Sequence, residues 1–96
     1  MTDPDRWLGQ RLAAAPASLR ARIETALGAS TAHRSPLTPD TMADRLRSTA
    51  ESLMREAQDG PPTHDTALTL LAADALVTLA CEWVAETEPE KLGELR

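Results

Sequence analysis

The chain has 96 residues, which is enough for one small domain with a modest core. Its apolar residues are mostly Ala and Leu, with no Phe or Tyr, and this composition favours helices over strands. Residues 61–96 carry the whole net charge of −5, with two Lys or Arg against seven Asp or Glu, which disfavours a nucleic-acid partner. The single cysteine, Cys81, excludes an internal disulfide and is typical of a cytoplasmic protein.

The first predicted helix covers residues 4–27 and is broken near Pro16. Asp3 or Thr2 can cap it, and Pro4 suits its first turn. Apolar residues recur on one stripe on both sides of Pro16, although a proline inside a helix removes one hydrogen bond and clashes with the preceding turn. We therefore predict one helix kinked at Pro16 or two abutting helices. Gly28 ends this segment, and residues 28–37 are predicted to form a linker.

The second predicted helix covers residues 39–59 and is the clearest one-sided amphipathic segment. Thr38 is the expected cap, Pro39 the first helical residue and Gly60 the end. Its apolar stripe consists of Met42, Leu46, Thr49, Ala50, Leu53, Met54 and Ala57. Such a helix packs one face on a core and leaves the other face in water.

The third predicted helix, residues 64–86, contains the most apolar part of the chain. Its residues 66–81 carry one charge, Asp74. The stretch is nearly long enough to span a membrane, but Asp74 at its middle and Glu82 near its end argue against a membrane span. We therefore expect no membrane partner. A short helix is predicted over residues 88–95. These segments predict a single all-α domain over residues 1–96, a small three- to four-helix bundle.

The large apolar residues of the third helix cover about 200° of its circumference, twice the width of an ordinary amphipathic stripe. Thr69, Ala73 and Ala80 lie along the middle of this arc, where small side chains let another helix approach closely. The opposite side carries a narrow polar stripe of Asp74, Thr78 and Glu82. We predict an interface made by Leu68, Thr69, Ala73, Leu76, Val77, Ala80, Trp83 and Val84, with Asp74 and Glu82 as candidates for polar specificity.

A dimer follows from the width of this arc. The other helices offer narrower stripes rich in alanine, so two or three large side chains of the third helix should stay uncovered. Each would forgo about 1.5–3 kcal/mol, a sum that matters against the stability of a small domain. A second copy would cover them, so we predict a homodimer through the third helix. A self-sufficient monomeric bundle is the alternative.

No residue pattern indicates catalysis. Asp74, Thr78, Glu82 and Glu86 are spaced by four residues, but the di-iron pattern needs Glu-x-x-His motifs, and neither His33 nor His64 lies in one. Cys81 has no neighbouring histidine and sits in an apolar helix, as a core thiol would. We therefore expect no enzyme activity, no metal and no cofactor.

Two segments have weak likenesses to known helices. The stretch LLAADALVTLACE resembles an apolar helix of polyprenyl synthases, and PASLRARIETAL looks like helices of bacterial anti-sigma factors. The chain has no aspartate-rich DDxxD motif, so neither likeness implies an activity. The sequence favours a small cytoplasmic interaction module that binds itself, another protein or both, as regulator, adaptor or accessory subunit. The alternative is a helical bundle that holds a small ligand or metal between facing helices.

Overall fold

The computed structural model describes residues 3–30 and 38–90, and it confirms the predicted all-α bundle. Four helices follow one another, α1 (Pro4–Ala13), α2 (Ala17–Ser30), α3 (Met42–Asp59) and α4 (His64–Thr87). The described ranges contain no strand. A 3₁₀ turn begins at Pro89 and Glu90, and the rest of the short helix predicted over residues 88–95 lies outside the described residues.

The first predicted segment forms two separate helices. Asp3 caps α1, since its Oδ1 accepts hydrogen bonds from the backbone N–H groups of Asp5 (3.0 Å) and Arg6 (3.5 Å). The helix ends at Ala13, three residues before Pro16, whose ring would clash with the preceding turn of a continuous helix. The Pro16 carbonyl then accepts a hydrogen bond from the Arg20 N–H (2.9 Å) as α2 begins.

Two helix boundaries differ from the sequence prediction. α2 continues through Gly28 to Ser30, because an isolated glycine weakens a helix by about 1 kcal/mol without forcing it to end. α3 begins at Met42 rather than Pro39. Thr38 closes a separate turn there, in which the Thr41 N–H donates to the Thr38 carbonyl (3.2 Å) and to its hydroxyl (3.3 Å).

A tight connection joins α3 to α4. Gly60 follows the last residue of α3, and a Cβ atom there would lie 3.3 Å from both the Glu56 carbonyl oxygen and the Thr66 hydroxyl. Thr63 caps α4 by accepting a hydrogen bond from the Thr66 N–H (3.2 Å). The small glycine side chain therefore lets the start of α4 pass close to the end of α3.

α4 is the central helix of the bundle. It packs most extensively on α3 and also contacts α2. Side chains from all four helices form one apolar core, and Met42, Leu46, Ala50 and Leu76 have no exposed surface within it. Most of the broad apolar arc of α4 is therefore covered inside one chain.

By length and composition alone, α4 could also cross a membrane. One 18-residue stretch has a mean hydropathy of 1.6, and 44% of it is buried in the bundle. The central helix of a soluble bundle meets the same two criteria, so they do not by themselves indicate a membrane span.

Candidate functional site

Six of the eight residues predicted to bind another chain are buried within this one. They are Thr69, Ala73, Leu76, Ala80, Trp83 and Val84, each at most 3% exposed. Leu68 is half-buried, and Val77 remains 37% exposed. An interface between copies cannot include the six buried side chains unless the bundle opens, because α2 and α3 already pack on this helix.

An exposed apolar strip remains on the side of α4 that faces away from these buried residues. Leu70 is 48% exposed, Leu71 58% and Val77 37%, which makes these the large uncovered apolar side chains of the helix. They share a sector of about 120° by the helical step. We call this sector the outer strip, and it consists of Ala67, Leu70, Leu71, Asp74, Val77, Thr78, Cys81 and Ala85.

The two candidate polar residues have different environments. Asp74 is exposed at the middle of the outer strip. No basic side chain among residues 3–30 and 38–90 forms an ion pair with its carboxylate. Glu82 is half-buried beside α1 and accepts a hydrogen bond from Arg11 Nη1 at 2.6 Å. Glu82 thus joins α4 to α1 through an ion pair, while Asp74 faces solvent.

Both tryptophans belong to one cluster that fixes α1 on α4. Their rings meet edge to face, with centroids 5.2 Å apart, and Trp7 Nε1 donates to Glu86 Oε1 at 3.2 Å. The Arg11 guanidinium lies 4.8 Å from the Trp7 ring centroid and pairs with both Glu82 (2.6 Å) and Glu86 (2.5 Å). Trp83 Nε1 donates to the Pro39 carbonyl at 3.3 Å, which ties α4 to the turn before α3.

Sequence reasoning missed this cluster, although a signal for it exists. Trp7 and Arg11 are four residues apart, and so are Glu82 and Glu86. Each pair therefore occupies one face of its helix. Two matched pairs, one aromatic and basic and the other acidic, indicate which face of α1 packs on which face of α4.

Breaking the Arg11 ion pairs should cost little stability. All three charged side chains are more than one third exposed, so Arg11→Gln should lower the free energy of unfolding by about 0.5–1 kcal/mol. Urea unfolding followed by far-UV circular dichroism measures this loss, which should shrink at high salt. Arg47→Gln, which removes a surface pair with Asp44 (3.1 Å), is the control and should change stability by less. A salt-independent loss would mean that packing on Trp7 outweighs the charges.

Two grooves border the bundle surface. One, of about 220 Å³, lies between α1, α2 and α4, with an apolar wall and the Arg11–Glu82 pair at its edge. It is lined by Arg11, Leu12, Ala15, Leu19, Ile23, Ala75, Thr78, Leu79 and Glu82. The other, of about 450 Å³, lies where α3 joins α4 and is lined by Ala57, Gly60, Pro62, Thr63, Thr66, Ala67 and Leu70. Ala67 and Leu70 also belong to the outer strip, so this groove continues it.

Metal-binding side chains are not gathered in the described part of the chain. No group of three or more His, Cys, Asp or Glu residues there is placed to hold an ion. Cys81 is half-buried and free. The arrangement as a whole offers an apolar surface with one charge, a chemistry suited to binding.

Comparison with known proteins gives no relative. No family model, curated protein or solved structure matches this chain. Function is therefore inferred from the exposed surface of the described residues.

Proposed function

We propose that this protein is a protein–protein interaction module that acts through the outer strip of α4, as a regulator, adaptor or accessory subunit. The observation that carries the proposal is the exposure of Leu70, Leu71 and Val77 on one helix. Isolated surface leucines are ordinary, but a contiguous apolar patch is typical of an interaction site.

The balance of exposed and buried residues supports this proposal. α3 buries its predicted apolar stripe except for Met54, which is 37% exposed, whereas α4 leaves three large apolar side chains exposed. Covering a large apolar side chain fully stabilises a complex by about 1.5–3 kcal/mol. Three partly exposed ones supply a useful share of the affinity of a modest complex after the cost of association is subtracted.

Two kinds of partner suit an apolar strip: a second copy of the chain, as the sequence analysis predicts, or another protein. A homodimer would have to use the outer strip rather than the buried groove of Thr69, Ala73 and Ala80. We place the module in the cytoplasm as part of this proposal, because an unpaired thiol such as Cys81 stays reduced there.

We predict that positive charge on the outer strip weakens association. The double variant Leu70→Lys/Val77→Lys should bind its partner at least about tenfold more weakly, because truncating or charging a central anchor costs more than 1 kcal/mol. Sedimentation at micromolar concentration detects a second copy, and affinity capture from cells of the native host detects another protein.

A matched control separates this effect from added charge. Ser48→Lys/Ser52→Lys adds the same two charges on exposed positions of α3 and should retain wild-type association. If the Leu70/Val77 variant remains folded and associates like the wild type in both assays, the outer strip is not an interaction surface.

The second candidate function is ligand binding in the groove between α1, α2 and α4. Its apolar wall, with Glu82 at the edge, is the kind of site that the sequence suggests. Its volume of about 220 Å³ is below the roughly 300–1,000 Å³ of ordinary ligand pockets. Native mass spectrometry of the same samples would reveal a retained small molecule, and its absence from the wild type would remove this candidate.

A further inference from the structure

Within residues 3–30 and 38–90, arginines pair with all but one of the carboxylates of α4. The helix contains four carboxylates and no Lys or Arg. Arg22 of α2 pairs with Asp65, and Arg11 of α1 pairs with Glu82 and Glu86. Among residues 3–30 and 38–90, no such pair forms with the fourth carboxylate, Asp74.

Asp74 also occupies the centre of the outer strip. By the helical step, Leu70 and Val77 lie about 40–60° to one side of it, and Leu71 and Thr78 lie about 40–60° to the other. Any partner that covers these residues also removes water from the Asp74 carboxylate. A carboxylate taken out of water without a counter-charge opposes binding strongly. A cation on the partner at this point would offset that cost through a charge-assisted hydrogen bond.

We propose that the outer strip binds a basic amphipathic helix of another protein, whose apolar residues cover Leu70, Leu71 and Val77 while a Lys or Arg pairs with Asp74. This inference rests on the proposed function and names the chemistry of the partner. The strip is straight and about 27 Å long from Ala67 to Ala85, which matches a partner helix of about 18 residues. The net charge of −5 also attracts a basic segment.

The groove at the α3–α4 junction gives such a helix a place to anchor. It has a volume of about 450 Å³ and shares Ala67 and Leu70 with the outer strip. A large apolar side chain at one end of the partner helix could enter this groove. Apolar residues of the partner helix three or four positions further along would then contact Leu71, Val77 and the rest of the outer strip, as in helix-in-groove recognition.

A second copy of this chain is a poorer occupant for two reasons. α4 has no Lys or Arg to offer. In a two-fold antiparallel pair centred on the strip, the two Asp74 residues would be offset by only about 6 Å along the axis, and like charges brought together in an interface oppose association.

A library of helical peptides tests the inference. Alanine-based helices of 18 residues, randomised on one face, are displayed and selected against the full chain. Selected peptides should carry Lys or Arg between apolar residues three or four positions away on each side. Replacing that cation with Glu in a selected peptide should weaken binding to the wild type about tenfold.

Variants of Asp74 should change this preference in a defined order. Asp74→Asn should reduce the difference between the Lys and Glu peptides to less than about twofold, and Asp74→Lys should reverse it. Glu51→Lys makes the same charge change on an exposed position of α3 outside the strip, so it should keep the wild-type preference.

The outcomes separate this inference from the proposed function. Peptides that need Leu70 but show no preference for a cation would overturn the inference and leave the proposed function standing. If no selected peptide loses binding to folded Leu70→Lys, the strip binds no helix and the inference falls, while the association assays of Leu70→Lys/Val77→Lys decide the proposed function separately. A preference that persists in Asp74→Asn would place the charge recognition elsewhere and overturn the inference.

Discussion

Replacing Trp83 with alanine is expected to destabilise the bundle more than any other single truncation. Trp83 is 1% exposed, contacts Trp7 edge to face and donates a hydrogen bond to the Pro39 carbonyl. Truncating a buried tryptophan costs about 3–5 kcal/mol, a large share of the roughly 5–15 kcal/mol that stabilises a small domain. Thermal unfolding followed by far-UV circular dichroism should show a midpoint at least about 12 °C lower, or no cooperative transition.

Two further variants serve as comparisons for Trp83→Ala. Leu71→Ala removes a large apolar side chain from the same helix at a position 58% exposed, so it should change stability by less than about 0.5 kcal/mol. Trp83→Phe keeps an aromatic ring but loses the indole N–H, and it should fall between the other two. If the free energy of unfolding of Trp83→Ala lies within about 1 kcal/mol of the wild-type value, well below the expected truncation cost, Trp83 does not join α4 to α1 and to the turn before α3.

The helices were predictable because their signals are local. The apolar stripe of α3 has helical spacing, and its members Met42, Leu46 and Ala50 are buried as such a stripe requires, while Met54 is exposed. Asp3 and Thr63 cap their helices through bonds within the first turn. The end of α2 is harder to predict, because a glycine such as Gly28 permits a helix end without imposing one.

The side of α4 that stays exposed was not predictable from its composition. The helical wheel identifies a broad apolar arc, but only the positions of α2 and α3 decide that Ala73 and Val84 are covered while Leu70 and Val77 are not. Leu71 is not among the residues of the predicted interface and is nevertheless the most exposed large apolar residue of the helix. Burial depends on contacts between segments distant in sequence, which a single helix does not encode.

The width of the apolar arc of α4 predicts that two or three of its large apolar residues stay uncovered, and three are exposed. Only Val77 among them belongs to the predicted interface, because most of that interface, including its small-residue positions, packs inside the bundle. A surplus of apolar residues can thus indicate that a helix has an exposed face without identifying that face.

Ala73→Leu distinguishes a helix crossing within one chain from a crossing between two chains. Ala73 is 2% exposed in the core, so the added atoms must displace neighbours, at a cost of about 1–3 kcal/mol. Because the crossing is internal, we expect the same loss in urea unfolding at every protein concentration. Ala85→Leu adds the same atoms at an exposed position of α4 and should change stability by less than about 0.5 kcal/mol. A loss that grows on dilution would instead return Ala73 to an interface between chains, since only association depends on protein concentration.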